Sequence, residues 1–446
     1  MRTIALLVLL LIQPAAVAQI GLPPVRVPQL PGTGLPGLPG VPAADLPLDP
    51  DRSAAQLADE IDPRRLRELR SLRIRALLSR HRDVLEADSH GAPIVRGEVL
   101  VLAPQPAALQ AASAAGFTVV RERALEGLGT RIVVLHAPGS TARALQRLQT
   151  LDPAGAYDFN HIYTDSGAST PVTGADSDIA MAADDPNGGG PVARVGLIDS
   201  GVDVSHEAFS GLPIQQHGCA GRAVPAEHGT AVASLMVART AAFHGAAPGS
   251  TLYAADVFCG LPTGGAVDAV AEAFAWLAEA RVPVINVSLV GPPNRLLEVV
   301  VQGVLARGHI VVAAVGNDGP AAPPLYPAAW QGVVGVTAVD AKGRVLVEAE
   351  RGPQVKLAAP GADMAAARSP HGYALVRGTS FASPIVAGLL ALELQTPDKE
   401  AAQEAVAALA RRALDLGTPG LDPVYGYGLV GAELRRQPAL AGLRAD

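Results

Sequence analysis

Residues 378–388 read Gly-Thr-Ser-Phe-Ala-Ser-Pro-Ile-Val-Ala-Gly, and this stretch decides how the rest of the chain is interpreted. Gly378 permits a close approach of the backbone, and the apolar run behind it predicts a helix over about 381–395. Ser380 then lies at the start of that helix, with Pro384 in its first turn, where proline is tolerated. The positive end of the helix dipole favours negative charge near the serine oxygen. A serine here is also an ordinary helix cap, so the stretch alone leaves both roles open.

Three earlier stretches place a polar side chain at the end of a predicted strand or the start of a predicted helix. They are Val195-Gly-Leu-Ile-Asp199-Ser-Gly201, His228-Gly-Thr-Ala-Val-Ala-Ser234 and Val312-Ala-Ala-Val-Gly-Asn317-Asp-Gly319. A carboxylate can orient a base, an imidazole can take the proton of a hydroxyl, and an amide can donate to a developing oxyanion. Each residue alone also has a plain structural explanation, as a turn residue, a structural histidine or an Asx turn.

From residue 192 onward, apolar strand-like runs alternate with helical ones. The strand-like runs are 192–198, 282–289, 309–315 and 332–338, and the helical runs are 229–240, 265–280, 295–307 and 381–395. Such alternation predicts an α/β domain whose parallel sheet has helices on both faces.

Taken together, the phrases DSGVD, HGTAVAS, AAVGNDGP and GTSFASPIVAG resemble the subtilisin-like (subtilase) serine endopeptidases. The resemblance covers about residues 192–432 and includes the closing Tyr425-Gly-Tyr-Gly-Leu-Val430. It implies the subtilisin-like parallel sheet with helices on both faces. It also implies an enzyme that cuts polypeptides at internal bonds.

The resemblance assigns a role to each of the four polar residues. Ser380 is expected to attack the scissile carbonyl, His228 to accept its proton, and Asp199 to fix the imidazole tautomer. Asn317 and the backbone N–H of Ser380 are expected to hold the oxyanion. No cofactor or metal ion is expected in catalysis, and structural calcium is left open.

The run Ile285-Asn-Val-Ser-Leu-Val-Gly291 resembles the family strand that pairs with an extended substrate. Ser288, Leu289 and Val290 are therefore expected to bind substrate, the alternative being one more core strand. The family usually has Gly-Gly after Ser-Leu, so Val290 is expected to narrow a side-chain pocket. Asp318, next to the oxyanion asparagine, is expected to favour a basic residue before the scissile bond.

The chain upstream is divided by composition. Residues 1–18 have the Arg2 start, apolar run and Ala-Val-Ala end of a signal peptide, and are too short to anchor in a membrane. Residues 19–50 are a Pro/Gly-rich spacer, or less simply a proline-motif ligand. Residues 51–92 are an Arg-rich helical segment, helical over about 54–85, that packs on the next domain or lies on a membrane surface. We expect no membrane contact.

Residues 93–168 predict a small α+β domain of order βαββαβ, the split ferredoxin-like arrangement. It resembles the propeptide of secreted subtilases, with residues 157–167 in the substrate groove; an independent accessory domain is the alternative. Residues 169–190 are expected to be a flexible linker that contains the probable processing region. Self-cleavage is expected somewhere in 160–190. Residues 191–446 are expected to be the catalytic domain.

The composition limits which classes of binding partner we expect. The chain has 446 residues, 49% of them apolar and 17% charged, with a net charge of −7, which gives no reason to bind nucleic acid. Cys219 and Cys259 are too few for a four-thiolate zinc site and are expected to pair, with free thiols as the alternative. The expected partners are polypeptide substrates and the chain's own propeptide in cis, in a monomer.

The sequence thus predicts a periplasmic or extracellular serine endopeptidase, made as a self-processing precursor that forms an acyl-enzyme on Ser380. The alternative is a catalytically silent exported protein that holds peptides on the same fold.

Overall fold

The structure is a computed structural model, and it describes residues 62, 65–137, 139–165, 168–170, 193–240 and 243–435. The predicted signal segment, the spacer and most of the predicted linker lie outside the described residues. Among the described residues, no helix is long and apolar enough to cross a membrane.

Residues 66–165 contain one antiparallel sheet flanked by helices. The elements are α1 (Leu66–Arg80), β1 (Leu85–Ala87), β2 (Pro93–Leu102), α2 (Pro106–Ala114), β3 (Thr118–Leu125), β4 (Thr130–His136), α3 (Thr141–Leu151) and β5 (Ala156–Asp165). The strands lie in the order β5-β2-β4-β3, with β1 beside β2. From β2 onward this is the βαββαβ order of a ferredoxin-like unit. The described part of the Arg-rich helix is shorter than predicted, since it ends at Arg80.

Residues 193–435 are built around seven parallel strands. The elements from residue 168 onward are β6 (Ala168–Thr170), β7 (Arg194–Asp199), β8 (Ile214–Gly218), α4 (Glu227–Val237), β9 (Thr251–Asp256), β10 (Gly265–Ala266), α5 (Val267–Glu279), β11 (Val284–Val287), β12 (Leu289–Val290), α6 (Arg295–Ala306), β13 (Ile310–Ala314), β14 (Val334–Val339), β15 (Val355–Pro360), β16 (Met364–Ala367), β17 (Tyr373–Arg377), α7 (Thr379–Glu393) and α8 (Lys399–Arg412). The parallel sheet has the order β15-β14-β13-β11-β7-β9-β8.

The parallel sheet is buried on both faces, which explains why its strands are continuous apolar runs. Helices α4 and α7 cover one face, where Leu235 and Ile385 join Leu197 in a common core. Helices α5 and α6 cover the other face, where Phe274 packs in a core with Ile198. The predicted α/β fold with helices on both faces is therefore confirmed.

The ferredoxin-like sheet shares its core with the parallel-sheet domain. In β2, Val99 and Val101 belong to the core beneath α2 and α3, whereas Leu100 joins the core that contains Phe274 of α5. This follows from the two-residue period of a strand, which sends alternate side chains to opposite faces. Gly127 completes the contact, because a Cβ there would collide with the Ala275 carbonyl of α5.

A buried polar network crosses the same contact. Arg121 of β3 donates to Asp268 of α5 over 2.7 Å and to Glu98 of β2 over 2.7 Å. Asn160 of β5 donates to Asp268 over 2.9 Å. Burial raises the pKa of Asp268, but the hydrogen bond and charge of Arg121, with the charge of Arg123, bring it below its usual value. The side chain of Asp268 is only 1% exposed, so it depends on these partners.

The structure joins Cys219 and Cys259 in a disulfide. The bond links the turn after β8 to the segment after β9, close to the carboxyl edge of the parallel sheet. Their sequence separation is 40, for which loop closure contributes about 4 kcal/mol in the chain-entropy account.

The Asp268 network leads to a stability prediction. Arg121→Met, made in a Ser380→Ala chain to prevent cleavage, should lower the free energy of unfolding by about 2–3 kcal/mol, somewhat below the usual cost of breaking a buried pair because Arg123 remains. Arg131→Met is the matched control, since its pair with Glu122 is 40% and 47% exposed and should matter by less than about 1 kcal/mol. Equal urea midpoints for the two variants would contradict the prediction.

Candidate active site

The carboxyl edge of the parallel sheet brings the first two candidate residues together. Asp199 is the last residue of β7, and His228 is the second residue of α4. His228 Nδ1 lies 2.8 Å from Asp199 Oδ1, and the Asp199 side chain is fully buried. The Ser200 N–H donates to the same carboxylate oxygen over 2.7 Å. With a carboxylate at Nδ1, that nitrogen donates, and Nε2 is the atom left to act as a base.

The imidazole of His228 is strongly basic in this form of the chain. Burial lowers its pKa, but the charge and hydrogen bond of Asp199 outweigh burial, and the Asp165 carboxylate adds to them. Together, these effects raise the pKa of His228 from 6.5 to about 9. The imidazole is therefore mostly charged at neutral pH while Asp165 lies beside it.

Ser380 lies beside this pair, at the second residue of α7. Gly378 precedes the helix with a φ of 135°, a backbone conformation that favours glycine. The ring of Phe381, the next residue, has its centroid 5.5 Å from that of His228. The Ser380 hydroxyl donates to the Ser288 carbonyl over 3.1 Å. His228 Nε2 has no hydrogen-bond partner among the described residues, so base and hydroxyl are not yet joined.

Pro384 has a different place from the one predicted. It is the sixth residue of α7, beyond the first turn, and it lacks the N–H that would donate to the Ser380 carbonyl four residues back. The Ser288 hydroxyl supplies that hydrogen bond instead, over 2.9 Å. Ser288 is fully buried, and its side chain supports the start of α7. The expected part of Ser288 in substrate binding concerns its backbone and stays a prediction.

The side-chain amide of Asn317 lies at the start of α7, beside Ser380. Its Oδ1 accepts from the Thr379 N–H over 3.1 Å, which fixes the orientation of the amide. Its Nδ2 is buried and has no partner among the described residues. An unpartnered buried donor is costly and therefore uncommon. Beside a serine at a helix start, it is the arrangement that stabilises a developing oxyanion.

A strand of the chain itself lies beside these residues. The end of β5 pairs antiparallel with β12, where Leu289 faces Asp165 and Val290 faces Thr164. Its other edge pairs with β10, where Gly265 faces Tyr163. Leu289 and Val290 thus pair with an extended chain, the kind of contact that the sequence predicted for a substrate. The other side of the cleft is formed by β10, which carries no sequence motif.

Tyr163 fills a pocket at this contact. Its side chain is fully buried, and its hydroxyl donates to the Pro292 carbonyl over 2.7 Å. Gly291 allows this, because a Cβ there would lie 2.6 Å from the ring. The cleft therefore accepts a large aromatic side chain at this position, even with Val290 at its rim.

A second short strand lies on the other side of Ser380. Strand β6 pairs antiparallel with β17, and Ala168 faces Arg377, three residues before Ser380. Residues 169 and 170, which the sequence assigns to the linker, belong to this strand. Residues 166 and 167, which join β5 to β6, lie outside the described residues.

Among the described residues, the grouping of side chains able to hold a metal ion is Cys219, Asp256 and Cys259. Because the two sulfurs are bonded to each other, neither is available as a thiolate ligand.

Comparison with known proteins agrees with this geometry. The Peptidase_S8 model of the subtilase family matches residues 190–428, more than half of the chain. Subtilisin DY of Bacillus licheniformis is 31% identical over 260 residues, which cover 56% of this chain and 92% of that protein. The minor extracellular protease Epr of Bacillus subtilis (strain 168) is 32% identical over 208 residues, which cover 46% of this chain and only 32% of Epr.

The fold agrees as well. The crystal structure of fervidolysin from Fervidobacterium pennivorans, a keratinolytic enzyme related to subtilisin, superposes with a TM-score of 0.63 at 21% identity. The superposition covers 76% of this chain and 61% of fervidolysin. At that identity the likeness concerns the fold. Together with the family match over the strands and helices that carry Asp199, His228, Asn317 and Ser380, it leads to one conclusion: the chain belongs to the subtilase family of serine proteases.

Proposed function

We propose that the chain is an exported, self-processing serine endopeptidase. The observation that carries the proposal is the convergence of three elements on Ser380. These are the buried Asp199–His228 pair, the Nδ2 of Asn317, which no described residue partners, and a cleft that binds an extended backbone on both edges. Polypeptides are the substrate class, and the proposed chemistry uses side chains and water without a cofactor.

Each residue has one part in the proposed reaction. Ser380 Oγ attacks the carbonyl carbon while its proton moves to His228 Nε2, and the carbonyl oxygen becomes an oxyanion held by Asn317 Nδ2 and the Ser380 N–H. The C–N bond breaks when His228 gives that proton to the leaving amine. Water then attacks the acyl-enzyme by the same route and frees Ser380 and the new carboxylic acid. Asp199 keeps Nδ1 protonated and stabilises the imidazolium.

The first substrate is proposed to be the chain itself. Strand β5 ends at Asp165 on one side of Ser380, and β6 begins at Ala168 on the other. The peptide bonds that join these two residues are therefore the ones that we expect Ser380 to attack first. We place the processing cut there, at the Ser166–Gly167 bond, so that the chain before Gly167 becomes an inhibitory prosegment, whose residues 93–166 remain bound through β5. The Asp268 contacts support the same role, because they hold the ferredoxin-like sheet on the protease.

Export and the monomeric state belong to the proposal as well. The sequence of residues 1–18 supports export, to the periplasm or the exterior. The expected freedom from membrane contact is supported by α1, whose Leu66 and Leu69 are each 1% exposed.

A catalytically silent peptide-holding protein is the second candidate. One observation favours it: the Ser380 hydroxyl donates to Ser288 and not to His228 Nε2. Covalent labelling of Ser380 by a fluorophosphonate separates the candidates, since only an activated serine reacts.

Removing the nucleophile should stop processing. In a protease-deficient host, the Ser380→Ala chain should keep its prosegment after loss of the signal, whereas wild type should be cut. Ser113→Ala, an exposed serine of α2, is the control and should be cut like wild type. The readout is intact mass, and prosegment loss from Ser380→Ala at the wild-type rate would contradict self-processing.

Removing the oxyanion donor should slow chemistry. Asn317→Ala should lower kcat by about 10²–10³, a scale known for this donor in subtilisin and carried over to this relative, with little change in KM. Steady-state kinetics on a peptide substrate measure both constants. A loss confined to KM would show that Asn317 only helps to bind substrate.

Processing should be slow at neutral pH and rise through about pH 9. The base must be neutral to act, and with a pKa of about 9 only about 1% of His228 is neutral at pH 7. Asp165→Asn removes a charge that raises this pKa, so the midpoint of the rate-pH profile should fall. The control Asp83→Asn, at an exposed site of the same region, should leave the midpoint unchanged. A midpoint for wild type near pH 6.5 would contradict this account.

A further inference from the structure

An ion pair joins the Arg-rich helix to the active site. Asp318 directly follows the oxyanion residue Asn317, and its carboxylate accepts from the guanidinium of Arg70, which lies in α1, 248 residues earlier. The Asp318 side chain is 10% exposed and that of Arg70 is 27% exposed. Helix α1 thus lies over the cleft and places one cation beside the residue that follows Asn317.

A second carboxyl group lies behind the first. Glu350 is fully buried, and neither of its carboxylate oxygens has a hydrogen-bond partner of ordinary geometry among the described residues. Its Oε1 lies against Gly316, where an added Cβ would be 2.8 Å away. Burial and then the Asp318 charge raise the pKa of Glu350 to about 9, against the opposing effects of Arg70 and the Leu325 N–H. An unpartnered buried carboxyl group is costly and calls for a partner.

Substrate geometry decides what that partner is. The carbonyl that Asn317 would stabilise belongs to the residue before the scissile bond, so that residue's side chain starts one carbon away from it. Gly316 and Asp318 flank Asn317 in the chain, and Glu350 lies against Gly316. The side chain before the scissile bond therefore enters the space beside the Asp318 carboxylate, with the buried Glu350 behind Gly316.

The cavity here is large enough for a long side chain. Its volume is about 540 Å³, and Val290 and Gly291 of the substrate-binding edge line it together with Asn317 and Asp318. Arg70 lines the same cavity from the side of α1. The cation at Asp318 therefore comes from outside the parallel-sheet domain, on a helix that precedes the proposed cut.

We propose that Asp318 and Glu350 form an acidic subsite that selects arginine, and then lysine, as the residue before the scissile bond, and that Arg70 occupies this subsite in the precursor. The planar guanidinium suits two carboxyl groups better than a single ammonium does. This inference rests on the proposed function, since a cleavage preference requires a protease.

The first test measures substrate selectivity. The wild-type chain is allowed to process, its active sites are counted with a fluorophosphonate, and kcat/KM is measured on two peptides that differ only in Arg or Phe before the scissile bond. Arg should be preferred at least 100-fold. Asp318→Asn should lower the Arg/Phe ratio at least 30-fold, and the isosteric Glu350→Gln about 10-fold.

Glu404→Gln is the matched control, because it also removes an acid paired with an arginine, at an exposed site. It should keep the wild-type ratio. Labelled enzyme that prefers Phe, or an Asp318→Asn ratio equal to that of wild type, would overturn the subsite while leaving the proposed function intact. If the chain shows no labelling and no cleavage, the proposed function is overturned, and the cleavage preference is overturned with it.

The second test does not depend on catalysis. In the uncut Ser380→Ala chain, p-aminobenzamidine serves as a fluorescent arginine mimic. Arg70→Ala should increase its affinity at least 10-fold by emptying the subsite, and adding Asp318→Asn should reverse the gain. Arg67→Ala, an exposed arginine of the same helix, should bind like the parent. Equal affinities for the Arg70→Ala and Arg67→Ala chains would overturn the occupancy of the subsite by Arg70.

Discussion

The structure depends on the backbone pairing of one strand. The last residues of β5 pair with Val290 on one edge and Gly265 on the other, so the chain's own segment lies where we propose that a peptide substrate binds. Backbone pairing requires an extended chain but no particular side chains, which is why such a cleft can hold many polypeptides. The same pairing fixes the ferredoxin-like sheet over α5 and α6. It also brings Asp165 to His228, so the occupied cleft and the charged base have one cause.

Charge in the cleft follows a common rule. Acids are buried at the carboxyl edge of the sheet, and each needs a cation or a donor to be stable there. Asp199 has the imidazole of His228, and Asp318 has the guanidinium of Arg70. Among the described residues, the Glu350 carboxylate has no hydrogen bond of ordinary geometry, which makes its surroundings favourable for an incoming cation. Arg70 therefore belongs to the electrostatics of the cleft and not only to the surface of α1.

Much of this arrangement could be predicted from the sequence, for reasons that are local. Apolar runs that end in Asp199 or precede Asn317 indicate strands of a parallel sheet, and a glycine before Ser380 indicates a helix start beside a close backbone approach. The pairing of β10 with β5 and of β6 with β17 could not be predicted, because strands of two and three residues are too short to show a periodic pattern. Glu350 and Arg70 lie far from the motifs in sequence, and only tertiary packing brings them to Asn317. Pro384 was placed in the first turn because the predicted helix began at about 381, whereas the helix begins at Thr379. The Ser288 hydroxyl, distant in the chain, bonds the Ser380 carbonyl that lacks a helical donor.

Self-processing, as we propose it, begins at a peptide bond between β5 and β6. The most direct measurement is the N-terminal sequence of the protease released by the wild-type chain. We expect a single new N-terminus at Gly167, between the two strands that pair on either side of Ser380. A first N-terminus beyond Thr170, with the bonds between Asp165 and Ala168 intact, would contradict it, because the strands seen in the cleft would then not mark the bond that is cut.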